Sequence, residues 1–177
     1  MQQPTIETER LRLRPFTLED AKQVQTLAGH TLIAEMTANI PHPYEDGMAE
    51  AWIETHQTLW FARQAVVFAI ERKEDSVLIG TISLTEMTQT DGNLGYWLGV
   101  PYWGKGYCTE ASQALVHFAF TTLNLPMLYA RHLLHNPQSG AVMIKSGFQY
   151  ISEVTAYTSG VERKVKHYEC YRGELHY

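Results

Sequence analysis

Apolar and polar positions alternate at the start of the chain. Leu11, Leu13 and Pro15 share one parity and Arg10, Arg12 and Arg14 the other, which predicts a half-buried first strand. Thr17 before Leu18, Glu19 and Asp20 marks a helix start with acidic residues in its first turn, and Val24, Leu27 and Ala28 give that helix an apolar face. Residues 39–44 contain Pro41 and Pro43 and read as a loop. A second long helix follows, with Met48, Trp52, Leu59 and Ala62 on one face. Residues 66–70, 77–86 and 94–100 predict three strands of an antiparallel meander, with Asp91-Gly92 as a hairpin turn. Residues 107–122 repeat apolar residues at helix spacing, 128–134 form a strand, and 139–146 a short helix that Gly147 stops. A closing hairpin spans 148–157 and 161–171 around Ser159-Gly160. The order is β, α, α, three strands, α, β, α, β, β. It predicts an α+β fold, a mixed, mostly antiparallel sheet of seven strands flanked by helices.

The 177 residues suit one domain, with no linker or repeat to divide them. A net charge of −5 argues against a nucleic-acid partner. No run approaches the length of a membrane span, and the N-terminal residues lack an apolar signal core. Cys108 and Cys170 do not make a disulfide framework, and no Cys/His spacing suggests a metal. These features predict a cytoplasmic protein, monomer or homodimer.

The informative stretch is 98–111, LGVPYWGKGYCTEA. A strand ends, a glycine-rich loop follows, and a long amphipathic helix begins. A helix N-terminus presents unpaired N–H groups and partial positive charge. Gly104 and Gly106 would let an anion approach the backbone, as a pyrophosphate requires. Glycine used only for the geometry of the turn is the plain alternative. Neither the phosphate loop of ATP-binding proteins nor the G-x-G-x-x-G of dinucleotide sites is present.

Gly95-Tyr96-Trp97-Leu98, Tyr102 to Tyr107 and Thr109-Glu110-Ala111 together resemble the acetyl-CoA motif of the GNAT N-acetyltransferases, most closely the RimJ/RimL type. Trp103, Gly106 and Cys108 fill the defined places of the family's [QR]-x-x-G-x-[GA] pattern; Trp103 and Cys108 depart from it. A second segment, Asn136 to Phe148, is similar to the family's N-x-x-S-x-x-V-(M/L)-x-K-x-G-F, and Thr8 to Arg14 also resembles this branch. The resemblance implies a GNAT fold whose sheet splays at an acetyl-CoA site. It implies donor contacts from Leu98, Val100, Trp103, Gly104, Lys105, Gly106, Tyr107, Cys108 and Thr109. In relatives the Asn, here Asn136, touches the pantetheine arm, and the Ser, here Ser139, lies near the thiol. A bulge at Gly99 would free the N–H groups of Leu98 and Val100 for the pantetheine and the acetyl carbonyl, though a simple kink is the alternative.

The resemblance implies direct transfer from acetyl-CoA to a primary amine, with a protein or peptide N-terminus as the expected acceptor. A small-molecule amine, or a non-catalytic acyl-CoA-binding module, is the alternative. The Tyr acid of many relatives falls at Met143, which cannot donate a proton. Ser139 is then the nearest proton donor by position, or a helix cap. The usual Glu falls at Asn93, leaving Glu86 as candidate base, with His132 and His135 further off. Glu110 suits the helix dipole. Tyr44, Trp52, Trp60 and Trp97 could line an acceptor pocket or simply pack in the core.

Overall fold

Leu11 and Leu13 are fully buried while Arg12 and Arg14 lie half-exposed, so the first alternation is a real strand. In the computed structural model, which describes residues 1–37, 40–158 and 160–174, that strand is the second of eight. The strands are β1 (Ile6–Glu7), β2 (Leu11–Arg14), β3 (Val66–Arg72), β4 (Val77–Thr85), β5 (Asn93–Leu98), β6 (Met127–Leu133), β7 (Gln149–Thr158) and β8 (Val161–Tyr171). The helices are α1 (Ala21–Ala28), α2 (Thr31–Met36), α3 (Met48–Glu54), α4 (His56–Phe61), α5 (Tyr107–Thr121) and α6 (Pro137–Lys145). Asn39 of the expected loop and Ser159 of the expected hairpin turn lie outside the described residues.

One sheet runs in the order β1-β2-β3-β4-β5-β6-β8-β7. Every neighbouring pair is antiparallel except β5 with β6. The count is eight rather than seven because β1 joins through two residues, Ile6 opposite Leu13 and Glu7 opposite Arg12. The expected second long helix is two, α3 and α4, broken at Thr55, whose hydroxyl bonds back to the Trp52 carbonyl at 2.7 Å.

Helices cover both faces. On one face Leu13, Phe68, Ile82, Leu84 and Leu94 pack with Ala111, Leu115 and Phe118 of α5 and Met143 of α6. On the other, Val67, Ala69 and Leu78 pack with α1 and α3. Strand β3 is buried along its first six residues, as a strand between two helical layers must be.

The parallel pair positions the site. β5 and β6 are in register only at Asn93 with Tyr129 and Leu94 with Ala130. Past Leu94 the two strands part. The N–H of Gly99 donates to the Ile79 carbonyl at 2.8 Å. By the alternation of an antiparallel ladder, the N–H groups of Tyr96 and Leu98 then point away from β4, into the gap.

Candidate functional site

The loop after β5 is built by its own sequence. Pairing of β4 with β5 runs without a register shift to Leu98, so the bulge expected at Gly99 is absent. Gly99 is glycine for another reason: a Cβ there would stand 2.6 Å from a methyl of Leu27 on α1. Val100, one of the two expected N–H donors, lies in a 3-10 turn, Val100–Tyr102. The indole N–H of Trp103 donates back to the Leu98 carbonyl at 2.8 Å, which folds the loop over the strand end.

Gly104 and Gly106 then adopt φ of 78° and 81°, in the left-handed region that favours glycine. Gly106 is the N-cap of α5. The helix's first internal bond runs from Glu110 N–H to the Gly106 carbonyl, which leaves the N–H groups of Tyr107, Cys108 and Thr109 with no acceptor inside the helix. A Cβ at Gly104 would meet nothing within 4 Å, and Lys105 between the glycines is exposed. Side-chain-free backbone, clustered donors, helix dipole and an adjacent lysine together fit a bound phosphate or pyrophosphate.

Tyr107 is buried, and Thr109 half-buried. Cys108 packs against the main core, and burial pushes its thiol up to about 12. That thiol stays protonated at neutral pH, so the helix terminus does not make it a thiolate. Burial alone would raise the Glu110 carboxyl, but hydrogen bonds from Thr8 and Arg10 hold it below the usual carboxylate range. Glu110 is thus a structural anion at the head of α5.

Across the gap stands the start of α6. The Asn136 amide donates to the Ser139 hydroxyl oxygen at 3.0 Å and to the Met36 carbonyl at 3.1 Å. The Tyr96 hydroxyl donates to the Ser139 carbonyl at 2.8 Å, joining β5 to α6 across the parted strands. Ser139 makes no hydrogen bond as a helix cap, a place held by Asn136. Its neighbour Gly140 lies so close over His132 and Tyr168 that a Cβ would stand 2.6 Å from the tyrosine hydroxyl. The geometry therefore brings Leu98, Trp103, the glycine loop, Asn136 and Ser139 to the two sides of one gap. Tyr96 is the residue that reading the sequence missed; its place inside Gly95-Tyr96-Trp97-Leu98 was the signal.

Other expected residues fall elsewhere. Glu86 is exposed just past the end of β4 and accepts a hydrogen bond from the Tyr129 hydroxyl at 3.0 Å. It stands six positions from Gly80, the partner of Leu98, or roughly 20 Å along the strand. His132 is buried, with one ring nitrogen on the Leu133 carbonyl at 2.7 Å and the other on the Tyr168 hydroxyl at 3.2 Å. Burial lowers its pKa. His135 bonds the Glu35 carbonyl at the end of α2. Met143 is 2% exposed and fills the main core rather than facing the gap. Tyr44, Trp52 and Trp97 are partly buried together in the second core, whereas Trp60 belongs to the first and donates its indole N–H to Met1. A cavity of 470 Å³ lined by Arg63, Met87 and Leu123 lies at the opposite end of the sheet and holds none of the site residues. Among the described residues, no three of His, Cys, Asp or Glu gather as a metal site, and no helix is long and apolar enough to cross a membrane.

Residues 10–149 match the family model described as an acetyltransferase (GNAT) domain. An uncharacterized N-acetyltransferase, p20 of Bacillus licheniformis, is 36% identical over 150 residues, 82% of each chain. The ribosomal-protein-serine acetyltransferase of Escherichia coli K12 is 33% identical over 90 residues, 50% of this chain and 48% of that one. In fold, the ribosomal-protein-S5-alanine acetyltransferase of Vibrio fischeri superposes with a TM-score of 0.82 over 99% of this chain and 100% of that one, at 21% identity.

Proposed function

The chain belongs to the GNAT acetyltransferases and uses acetyl-CoA as its acetyl donor, and from that premise we propose that its acceptor is the α-amine of a protein or peptide N-terminus. The observation that supports the donor's place is the parting of β5 from β6, with the N–H groups of Tyr96 and Leu98 turned into the gap. The donor's pyrophosphate rests on the glycine loop and the N-terminus of α5, with Trp103, Lys105, Tyr107, Cys108 and Thr109 around it. Its pantetheine arm runs between β5 and Asn136. The neutral amine attacks the thioester carbon directly and the β5 N–H groups stabilise the oxyanion. As that oxyanion collapses the C–S bond breaks, CoA leaves as the thiolate, and the surplus proton of the amine nitrogen passes to water and from there to the thiolate. The Cys108 thiol, pushed up by burial, stays protonated at neutral pH and is a poor nucleophile for an acyl-enzyme.

The acceptor class follows from the weakness of the available bases. Glu86 lies at the far end of β4, and both nitrogens of His132 are engaged. An α-amine, with a pKa near 7.7–8.0, is roughly one-third neutral at pH 7.5, against about 0.1% of a lysine amine. Without a strong base the first is a workable nucleophile and the second a poor one. The likeness to ribosomal-protein acetyltransferases supports the same class. The expected pH profile of kcat/KM rises with an apparent pKa near that of the amine, and shifts when amines of different pKa are compared. An inflection near pH 6 shared by all amines would instead assign an enzymic base, and turnover of small amines but no peptide would move the acceptor class.

The leaving thiolate needs little help, because its thiol has a pKa near 8.5. The Ser139 hydroxyl, held by the Asn136 amide, stands ready to bond it. Loss of one hydrogen bond to an ionising group costs about 1.5–3 kcal/mol, or roughly ten- to a hundredfold in rate. Ser139→Ala should lower kcat by that factor while CoA affinity stays within a fewfold. A variant that mainly loses affinity would make Ser139 a binding residue.

A further inference from the structure

The head of α5 is held by a side chain from the other end of the sequence. Arg10 sits at the turn between β1 and β2. Its Nε donates to one Glu110 oxygen at 2.6 Å. The other Glu110 oxygen accepts the Arg10 backbone N–H at 2.8 Å and the Thr8 hydroxyl at 2.5 Å. The same guanidinium donates through Nη1 to the Lys105 carbonyl at 2.9 Å. It lies over the Tyr107 ring, 4.5 Å from the centroid. Nη2 is beside Gly106, 3.4 Å from where a Cβ would stand.

We propose that Arg10 is a positioning residue for the donor: it orients the Lys105–Gly106 peptide so that the loop can receive the pyrophosphate. The peptide unit is planar, with its C=O and N–H pointing in opposite directions. Drawing the Lys105 carbonyl towards Arg10 turns the Gly106 N–H to the other side. It also keeps a carbonyl dipole from facing an incoming anion. The Glu110 carboxylate in the first helical turn would repel a phosphate, and the bonds from Arg10 and Thr8 neutralise it and hold it to the β1–β2 side. One planar fork makes these contacts at fixed angles, which a lysine ammonium cannot do.

The inference rests on the reading of this loop as the pyrophosphate site, and its test separates the two. Steady-state kinetics are measured with acetyl-CoA and with S-acetyl-pantetheine, a donor without the pyrophosphate. Wild type, Arg10→Gln, Arg10→Lys and Gly106→Val are compared. The wild type should have the lower KM for acetyl-CoA. Both Arg10 variants should raise that KM by about tenfold or more, the scale of a lost charge-assisted bond, and narrow the preference over S-acetyl-pantetheine. Equal loss on both donors would mean general damage to the fold and overturn the assignment. Arg10→Lys with the wild-type KM would also overturn it, since charge alone would then suffice. Loss of preference in Gly106→Val but not in either Arg10 variant would leave the site standing and remove Arg10 from it. No preference in the wild type would remove the site itself, and the inference with it.

Discussion

Gly106→Val should lose most of the thermal stabilisation that CoA gives the wild type. A ligand that binds only the native state adds RT ln(1 + [L]/Kd), about 2.7 kcal/mol at a hundredfold excess over Kd. For a domain of this size that is roughly 5–10 °C in melting temperature. Gly106 has φ of 81° and caps α5 beside its unpaired N–H groups. A β-branched residue is strained at that angle, and its Cβ would stand 3.4 Å from the Arg10 guanidinium, at ordinary contact distance. The variant is therefore expected to be less stable without ligand as well, so the quantity to compare is the increment that CoA adds. Gly47→Val controls for backbone strain. Gly47 has φ of 86°, caps α3, and has nothing within 4 Å of a built Cβ. It should lose intrinsic stability and keep the whole CoA increment. An undiminished increment in Gly106→Val would move the pyrophosphate away from this loop.

What could be read from the chain depended on whether its cause was local. The core strands β3 and β4 and the helix α5 carry unbroken runs or helix-spaced apolar residues, and they form where those patterns lie. Strand β1 carries no such pattern. Its two residues are extended because β2 pairs with them and because Lys73 reaches Glu7 and the Thr8 carbonyl. Helix α2 was missed because its cap is His30, whose ring nitrogen accepts the Leu32 N–H at 3.1 Å in place of the usual Ser, Thr, Asp or Asn.

The site divides in the same way. The glycine loop and the Asn136–Ser139 segment each occupy a few consecutive residues, so both were legible as motifs. Contacts that join distant parts were not. Arg10 and Glu110 are 100 positions apart, and Tyr96 and Ser139 are 43 apart. Only the sheet order brings them together. Met143 shows the limit of reading by position. It occupies the place of a tyrosine acid, yet its side chain is core, and the hydroxyl that does bridge the gap comes from β5.

The pH dependence of stability should carry the mark of one buried histidine on α4. His56 is 7% exposed, and neither ring nitrogen has a hydrogen-bond partner among the described residues. Its ring meets Trp52 edge-on at 4.4 Å and Phe16 at 5.4 Å. Burial lowers its pKa from 6.5 to about 4. The native state thus keeps the ring neutral, while the unfolded chain takes up a proton below about pH 6.5. The stability is whole above pH 6.5 and is lost as pH falls towards 4. Over that window the loss is about 3 kcal/mol, since each tenfold difference in proton affinity between the two states is worth about 1.36 kcal/mol. The carboxylates held low by their partners, Asp20 and Glu110 among them, lose their contribution mainly at more acid pH. His132, also lowered by burial, overlaps the window, so the comparison must be with a variant. His56→Leu fills the space with no polar atom left unpaired. It should be at least as stable as the wild type at pH 7.5, and its advantage should widen by about 3 kcal/mol on going to pH 4. Urea unfolding at half-unit intervals of pH would measure that difference. A difference independent of pH would mean that the imidazole is hydrated or partnered in solution and that Trp52 and Phe16 do not seal it from water.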